Sequence, residues 1–145
     1  MEKMVWQDDY ATGFHSIDFQ HKILVGIIND LIEASNSEKD NGLWLEVVLD
    51  ELRSYTKFHF SNEALLMGKY EYEEIQDHSN QHAEFVSKLN QFCKDYQAKK
   101  TGMSEDLLTY LKEWLINHIL VEDKKLGAFL VSRENKNDIR DFPFP

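Results

Sequence analysis

Proline is nearly missing from this chain: both copies, Pro143 and Pro145, fall within the last three residues. Nothing upstream therefore carries the strongest helix breaker, and long helices are permitted almost everywhere. Cysteine is scarcer still, and the lone Cys93 cannot close an internal disulfide, which fits a reducing compartment. Basic charge is short as well, with 16 Lys and Arg against 26 Asp and Glu and a formal net charge of −10. No Lys/Arg stripe offsets that balance, so nucleic acid and anionic membranes are excluded as partners. Long apolar runs are absent too. The longest, around Ile23 to Ile28, is far below the roughly 18 residues of a membrane span, and the opening Met-Glu-Lys-Met has no signal-peptide character. The expectation is a soluble, cytoplasmic protein whose 145 residues form one domain, residues 1–145, with a sizeable core.

What the chain does have is helical periodicity. Gly13, Gly42, Gly68 and Gly102 divide it into segments of about 25 to 35 residues, each one helix plus a turn. Apolar residues recur within them at steps of three and four: Ile17, Leu24, Ile28 and Leu31 in the first, Leu45, Leu49, Leu52 and Leu66 in the second. Ile75, Phe85, Leu89 and Phe92 continue the pattern, then Leu108, Leu111, Leu115, Leu126 and Phe129. Helices are expected at about 18–37, 42–67, 72–99 and 104–131, with Ser104 as an N-cap and Lys99 and Lys100 before Gly102 as a C-terminal signal. Short connections force antiparallel neighbours. The fold class is all-α, an up-down-up-down antiparallel four-helix bundle with an N-terminal arm bearing Trp6, Tyr10 and Phe14 and a short C-terminal tail ending Phe-Pro-Phe-Pro.

The informative anomaly is polar. Buried His, Glu and Asp are costly unless paired or metal-bound, yet they interrupt these apolar seams. His59 and Glu63 are four apart, as are His78 and His82, so each pair shares a helix face. His21 and His118 sit at comparable heights on the first and fourth helices. Asp123 is five residues past His118, about 140° out of phase on a regular helix; a π-turn would bring it round, whereas Glu122 is better in phase on an ideal one. Five imidazoles with two carboxylates exceed one tetrahedral zinc and suit two adjacent metals, although imidazole alone does not name the element.

The stretches Gly13-Phe-His-Ser-Ile-Asp-Phe-Gln-His21-Lys, Tyr55-Thr-Lys-Phe-His59-Phe-Ser-Asn-Glu63, His78-Ser-Asn-Gln-His82 and Trp114-Leu-Ile-Asn-His118-Ile-Leu-Val-Glu-Asp123 resemble the hemerythrins, the single-domain bacteriohemerythrins in particular. The family's last motif, His-x-x-x-x-Asp, selects Asp123 over Glu122. The resemblance implies two non-haem irons, oxo- or hydroxo-bridged, one held by His78, His82 and His118 and the other by His21 and His59. Glu63 and Asp123 would span both. The second iron, one ligand short, would take up dioxygen reversibly, with no side chain acting as a general acid. One departure is visible: the family commonly has Tyr-Pro before the third helix, where this chain has Tyr72-Glu73, so the start of that helix is less defined than the site.

The implied function is oxygen transport, storage or delivery rather than catalysis. The alternatives are a di-iron redox enzyme reducing peroxide or nitric oxide, and a sensor acting through a partner; no redox partner is legible. Ferritin-like oxidases fit poorly, because they use Glu-x-x-His pairs. Phe60, Trp114, Leu115 and Ile119 flank ligands and are candidates to wall the dioxygen pocket. Gln20, next to His21, is a candidate to orient an imidazole on a neighbouring helix. His15 reads as an arm residue outside the set, and Cys93 as a small core residue.

Overall fold

In the computed structural model, residues 1–37, 42–99 and 105–137 are described. A 3₁₀ turn, Asp8–Tyr10, precedes α1 (His15–Ser35), α2 (Leu43–Lys69) and α3 (Ile75–Lys99). The fourth rod is α4 (Glu105–Asn117), a π-turn (His118–Asp123) and α5 (Lys124–Asn137). Facing pairs fix the antiparallel order. Arg53 bonds Asn90 and Glu63 meets His78 between α2 and α3, while Phe85 packs on Trp114 and Phe92 on Tyr110 between α3 and α4. The result is a four-helix bundle with an ordered N-terminal arm: Met4, Tyr10 and Phe14 are buried, and Asn29 bonds both the N–H and the carbonyl of Met4.

Helix boundaries differ from the sequence expectation where capping chemistry intervenes. α1 begins at His15 rather than near residue 18, because the Asp18 carboxylate accepts the Thr12 and Gly13 N–H groups and the Thr12 hydroxyl. A first-turn acid thus ties the arm back onto the start of the helix and fixes where the chain enters it. His15 is accordingly an exposed helical residue beside Phe19 and not part of the arm. α3 begins at Ile75 rather than Tyr72. The Tyr72 N–H returns to the Met67 carbonyl and the Glu71 N–H to that of Gly68, a Schellman closure of α2 with Glu71 in the left-handed region at φ 55°. The last rod runs to Asn137 instead of about 131, since no Gly or Pro interrupts it there. The cap at Ser104, the Lys100–Gly102 signal and the Phe-Pro-Phe-Pro tail lie outside the described residues.

A non-glycine at a left-handed C′ position is strained, and Glu71 also sets an anion at a helix C-terminus. Glu71→Gly is therefore expected to raise stability by about 1 kcal/mol. Urea denaturation would show it as a higher midpoint at unchanged slope.

The core has two apolar layers. The larger gathers residues such as Leu24, Ile28, Leu49, Leu52, Phe85, Leu111, Leu115 and Ile119. The smaller contains Phe14, Ile17, Leu66, Met67, Tyr70, Tyr72, Leu126 and Leu130. Each helix passes from one layer to the other, and at that crossing stand its polar seam residues.

Candidate metal centre

His21 comes from α1, His59 and Glu63 from α2, His78 and His82 from α3, and His118 and Asp123 from the two ends of the π-turn. All seven are buried, none more than 6% exposed. The π-turn holds the last pair together: its wider winding brings Asp123 inward, fully buried, and leaves Glu122 partly exposed.

The side chains fall into two sets that share the carboxylates. On one side Glu63 Oε1 lies 2.9 Å from His78 Nε2 and 3.0 Å from His82 Nε2, and Asp123 Oδ1 lies 3.1 Å from both His78 and His118 Nε2. On the other, Glu63 Oε2 is 2.9 Å from His59 Nε2 and 3.7 Å from His21 Nε2, with Asp123 Oδ2 2.8 Å from His21. Each carboxylate turns one oxygen to each side. Two groups of donor atoms result, each close enough to hold one cation: Glu63, His78, His82, His118 and Asp123, and His21, His59, Glu63 and Asp123.

The chemistry of these contacts fits a cation. His59 Nδ1 donates to Gln20 Oε1 at 2.6 Å, so its Nε2 carries a lone pair aimed at a carboxylate oxygen. His118 Nδ1 donates to Gln81 Oε1 at 2.9 Å, and its Nε2 faces His82 Nε2 at 3.0 Å. Lone pair against lone pair at such distances is repulsive unless a proton or a metal lies among them. His21 Nε2, His59 Nε2, Glu63 Oε2 and both Asp123 oxygens are buried at ion-pair distance from their partners without a well-aligned hydrogen bond, a gap that a metal, or a proton on the imidazoles, would close.

Gln20 thus touches the imidazole of a neighbouring helix, and Asn62 Nδ2 donates to the same Oε1. Gln81 does the same for His118 and was not singled out in the sequence. The signal for it was a repeated dipeptide: Gln20-His21 and Gln81-His82 each place a glutamine one residue before a site histidine. Of the apolar candidates, Phe60 stacks on His82 at 3.7 Å and Trp114 on His118 at 4.5 Å, both on the three-histidine side. Leu115 and Ile119 are buried in the larger apolar layer. His15 remains apart from the centre.

With no metal, protons take the cation's place. Burial pulls the His21 pKa down, but the hydrogen bond and charge of Asp123, then of Glu63, overcome it and push it up to about 9. The same opposition, with Asp123 and Glu63 prevailing, pushes His78 up to about 10. For Glu63, burial alone would raise the pKa, yet His59, His21 and His78 hold it well below the usual carboxylate range. Asp123, raised by burial and by Glu63, is brought well below that range by His118 and His21. Groups with raised pKa values stabilise the fold fully below their ordinary 6.5 and lose that contribution as pH rises through about 9 and 10. The carboxylates contribute above their ordinary 4.5 and 3.8 and lose it in acid. Chelated protein is therefore expected to lose thermal stability steeply between neutral pH and 10, while metal-loaded protein, its imidazoles already neutral ligands, is not. Melting curves on both forms across that interval check it.

Comparison with known proteins agrees with this geometry. The model of the hemerythrin HHE cation binding domain matches residues 12–130. The bacteriohemerythrin of Pseudomonas aeruginosa (strain UCBPP-PA14) is 36% identical over 123 residues, 85% of this chain and 78% of that protein. Myohemerythrin-1 of Phascolopsis gouldii is 26% identical over 125 residues, 86% and 92% of the two chains. The crystal structure of wild-type hemerythrin superposes with a TM-score of 0.82 at 26% identity, covering 89% of this chain and 98% of that one. A family match across most of the sequence, over a bundle whose polar layer gathers two sets of donor atoms each able to hold a cation, leads to one conclusion: this chain belongs to the hemerythrin HHE cation binding domain family.

Proposed function

We propose that the protein binds dioxygen reversibly at a pair of non-haem irons, oxo- or hydroxo-bridged, and so transports, stores or delivers oxygen. His78, His82 and His118 would hold one iron, His21 and His59 the other, with Glu63 and Asp123 spanning both. The observation that carries this reading is the three-to-two division of the Nε2 atoms about carboxylates that each offer one oxygen to either side. Unequal histidine sharing leaves the two-histidine side with fewer protein donors and room for an exogenous ligand.

When bound, an iron pair supplies the two electrons that dioxygen draws on. The chain's own residues do the rest. Gln20 and Gln81 fix the tautomer and orientation of His59 and His118. Leu115 and Ile119, 4% and 1% exposed, exclude the water and protons that would make oxidation irreversible. No helix among the described residues is long and apolar enough to cross a membrane, in keeping with a carrier free in solution.

The test combines elemental analysis of iron-reconstituted protein with optical spectra of the reduced form before oxygenation, after it, and after return to vacuum. Two irons per chain and full recovery of the reduced spectrum are expected. A single metal, loading by zinc only, or irreversible oxidation with peroxide turnover would overturn the carrier reading, the last in favour of an enzyme. Leu115→Ala is expected to speed irreversible oxidation at least about tenfold, equivalent to roughly 1.4 kcal/mol of barrier.

A further inference from the structure

A groove between α2 and α3, of about 1180 Å³ and passing from Ala64 and Ser79 over His82 to Lys94, touches the candidate metal centre only at Phe60 and His82. Its charge is out of character with the chain. Against a net −10 overall, the charged side chains lining it are Arg53, Lys57 and Lys94, with Asp50 alone opposing them. Arg53 is positioned rather than free: its Nε donates to Asn90 Oδ1 across the groove at 3.2 Å, and an Nη lies 3.7 Å from Asp50. That bond sets the antiparallel register, with Lys57 one turn from Arg53 on α2 and Lys94 one turn beyond Asn90 on α3. Midway along the groove lie Phe60 and His82, their rings stacked 3.7 Å apart and within 4° of parallel.

We propose that this groove binds a flat aromatic ring carrying a phosphate tail, of the size of flavin mononucleotide, its phosphate among Arg53, Lys57 and Lys94 and its ring toward Phe60 and His82. The guanidinium fork and two ammonium groups match a phosphate dianion. Arg53 and Phe60 are seven residues apart on α2, about 10 Å of helix rise, which is the order of the separation between phosphate and ring in such a molecule. An inorganic anion would fill only a corner of this volume and leave Ala64, Ala83 and Val86 uncovered. On the di-iron reading, on which this one step rests, a dihydroflavin seated here would give up two electrons, entering at the iron that His82 would hold and reducing both ferric ions to ferrous, and its two protons would pass to solvent. The binding itself does not depend on iron.

The test uses the full chain, with metal and after chelation, and reads the fluorescence anisotropy of flavin mononucleotide together with titration calorimetry. Saturable binding of one flavin per chain in both forms is expected, weakened by added salt and displaced by excess inorganic phosphate. Riboflavin, which lacks the phosphate, is expected to bind at least about tenfold more weakly. Arg53→Glu with Lys57→Glu, both at exposed positions, is expected to weaken binding by a similar factor, and Lys125→Glu on α5 to leave it unchanged. Absence of saturable binding, equal affinity for riboflavin, or indifference to the charge reversal would overturn the site. In iron-loaded protein, reduction by dihydroflavin mononucleotide should slow in the double variant. Equal rates there, with flavin binding lost, would overturn electron entry on the His82 side and leave both the groove and the dioxygen reading standing.

Discussion

Chelation of the metal is expected to lower the melting temperature by roughly 15 °C at neutral pH, at about 3 °C per kcal/mol for a domain of this size. Two carboxylates and several imidazole lone pairs would be left in a dry layer between two apolar ones, where each unmatched polar group costs about 1–3 kcal/mol. Protonation of His21 and His78, the two imidazoles whose pKa values are raised, recovers part of that, which leaves a net loss near 5 kcal/mol. Calorimetry of loaded and chelated protein measures it directly. An unchanged melting temperature would mean that these atoms are not reserved for metal. Replacing all seven ligands by Leu is expected to restore part of the stability without metal, because apolar packing at these positions costs less than unpaired polar groups.

Gly127→Ala is expected to cost about 3 kcal/mol, near the upper end of overpacking effects, although alanine is ordinarily the better helix former. A Cβ at Gly127 would come within 2.5 Å of the Thr12 carbonyl oxygen and 2.6 Å of the Thr12 Cβ. Thr12 has no room to retreat, since Asp18 grips both its N–H and its hydroxyl at 2.7 Å. The arm must therefore lift as a unit, unseating buried Phe14. The identical exchange at Gly26, where nothing lies within 4 Å, is expected to gain about 1 kcal/mol from helix propensity alone. Opposite signs for the two alanines in thermal denaturation confirm the clamp. Equal signs refute it.

The bundle and the height of the polar layer were legible because helical spacing puts His59 over Glu63 and His78 over His82 with no other information. Asp123 was legible only through the family motif, for the residues alone favour Glu122 on a regular helix and it takes a π-turn to reverse that. Helix starts were less readable. Asp18 holds the arm residues Thr12 and Gly13 against the start of its helix, and Glu71 occupies a left-handed position that sequence ordinarily assigns to glycine. Gln81 escaped notice because a polar residue beside a helical histidine reads as solvated until the neighbouring helix is in place.

The π-turn has a consequence for motion. Wider winding interrupts the α-helical hydrogen-bond pattern across His118–Asp123, so α4 and α5 meet at a seam. The same six residues carry a site residue at each end, so a metal held there would rivet that seam. Without metal, amide protons along this stretch should exchange with solvent through local opening well before the bundle unfolds. With a metal bound, its release would become a precondition for the opening, and the lifetime of the bound ion would set how often the fourth rod comes apart.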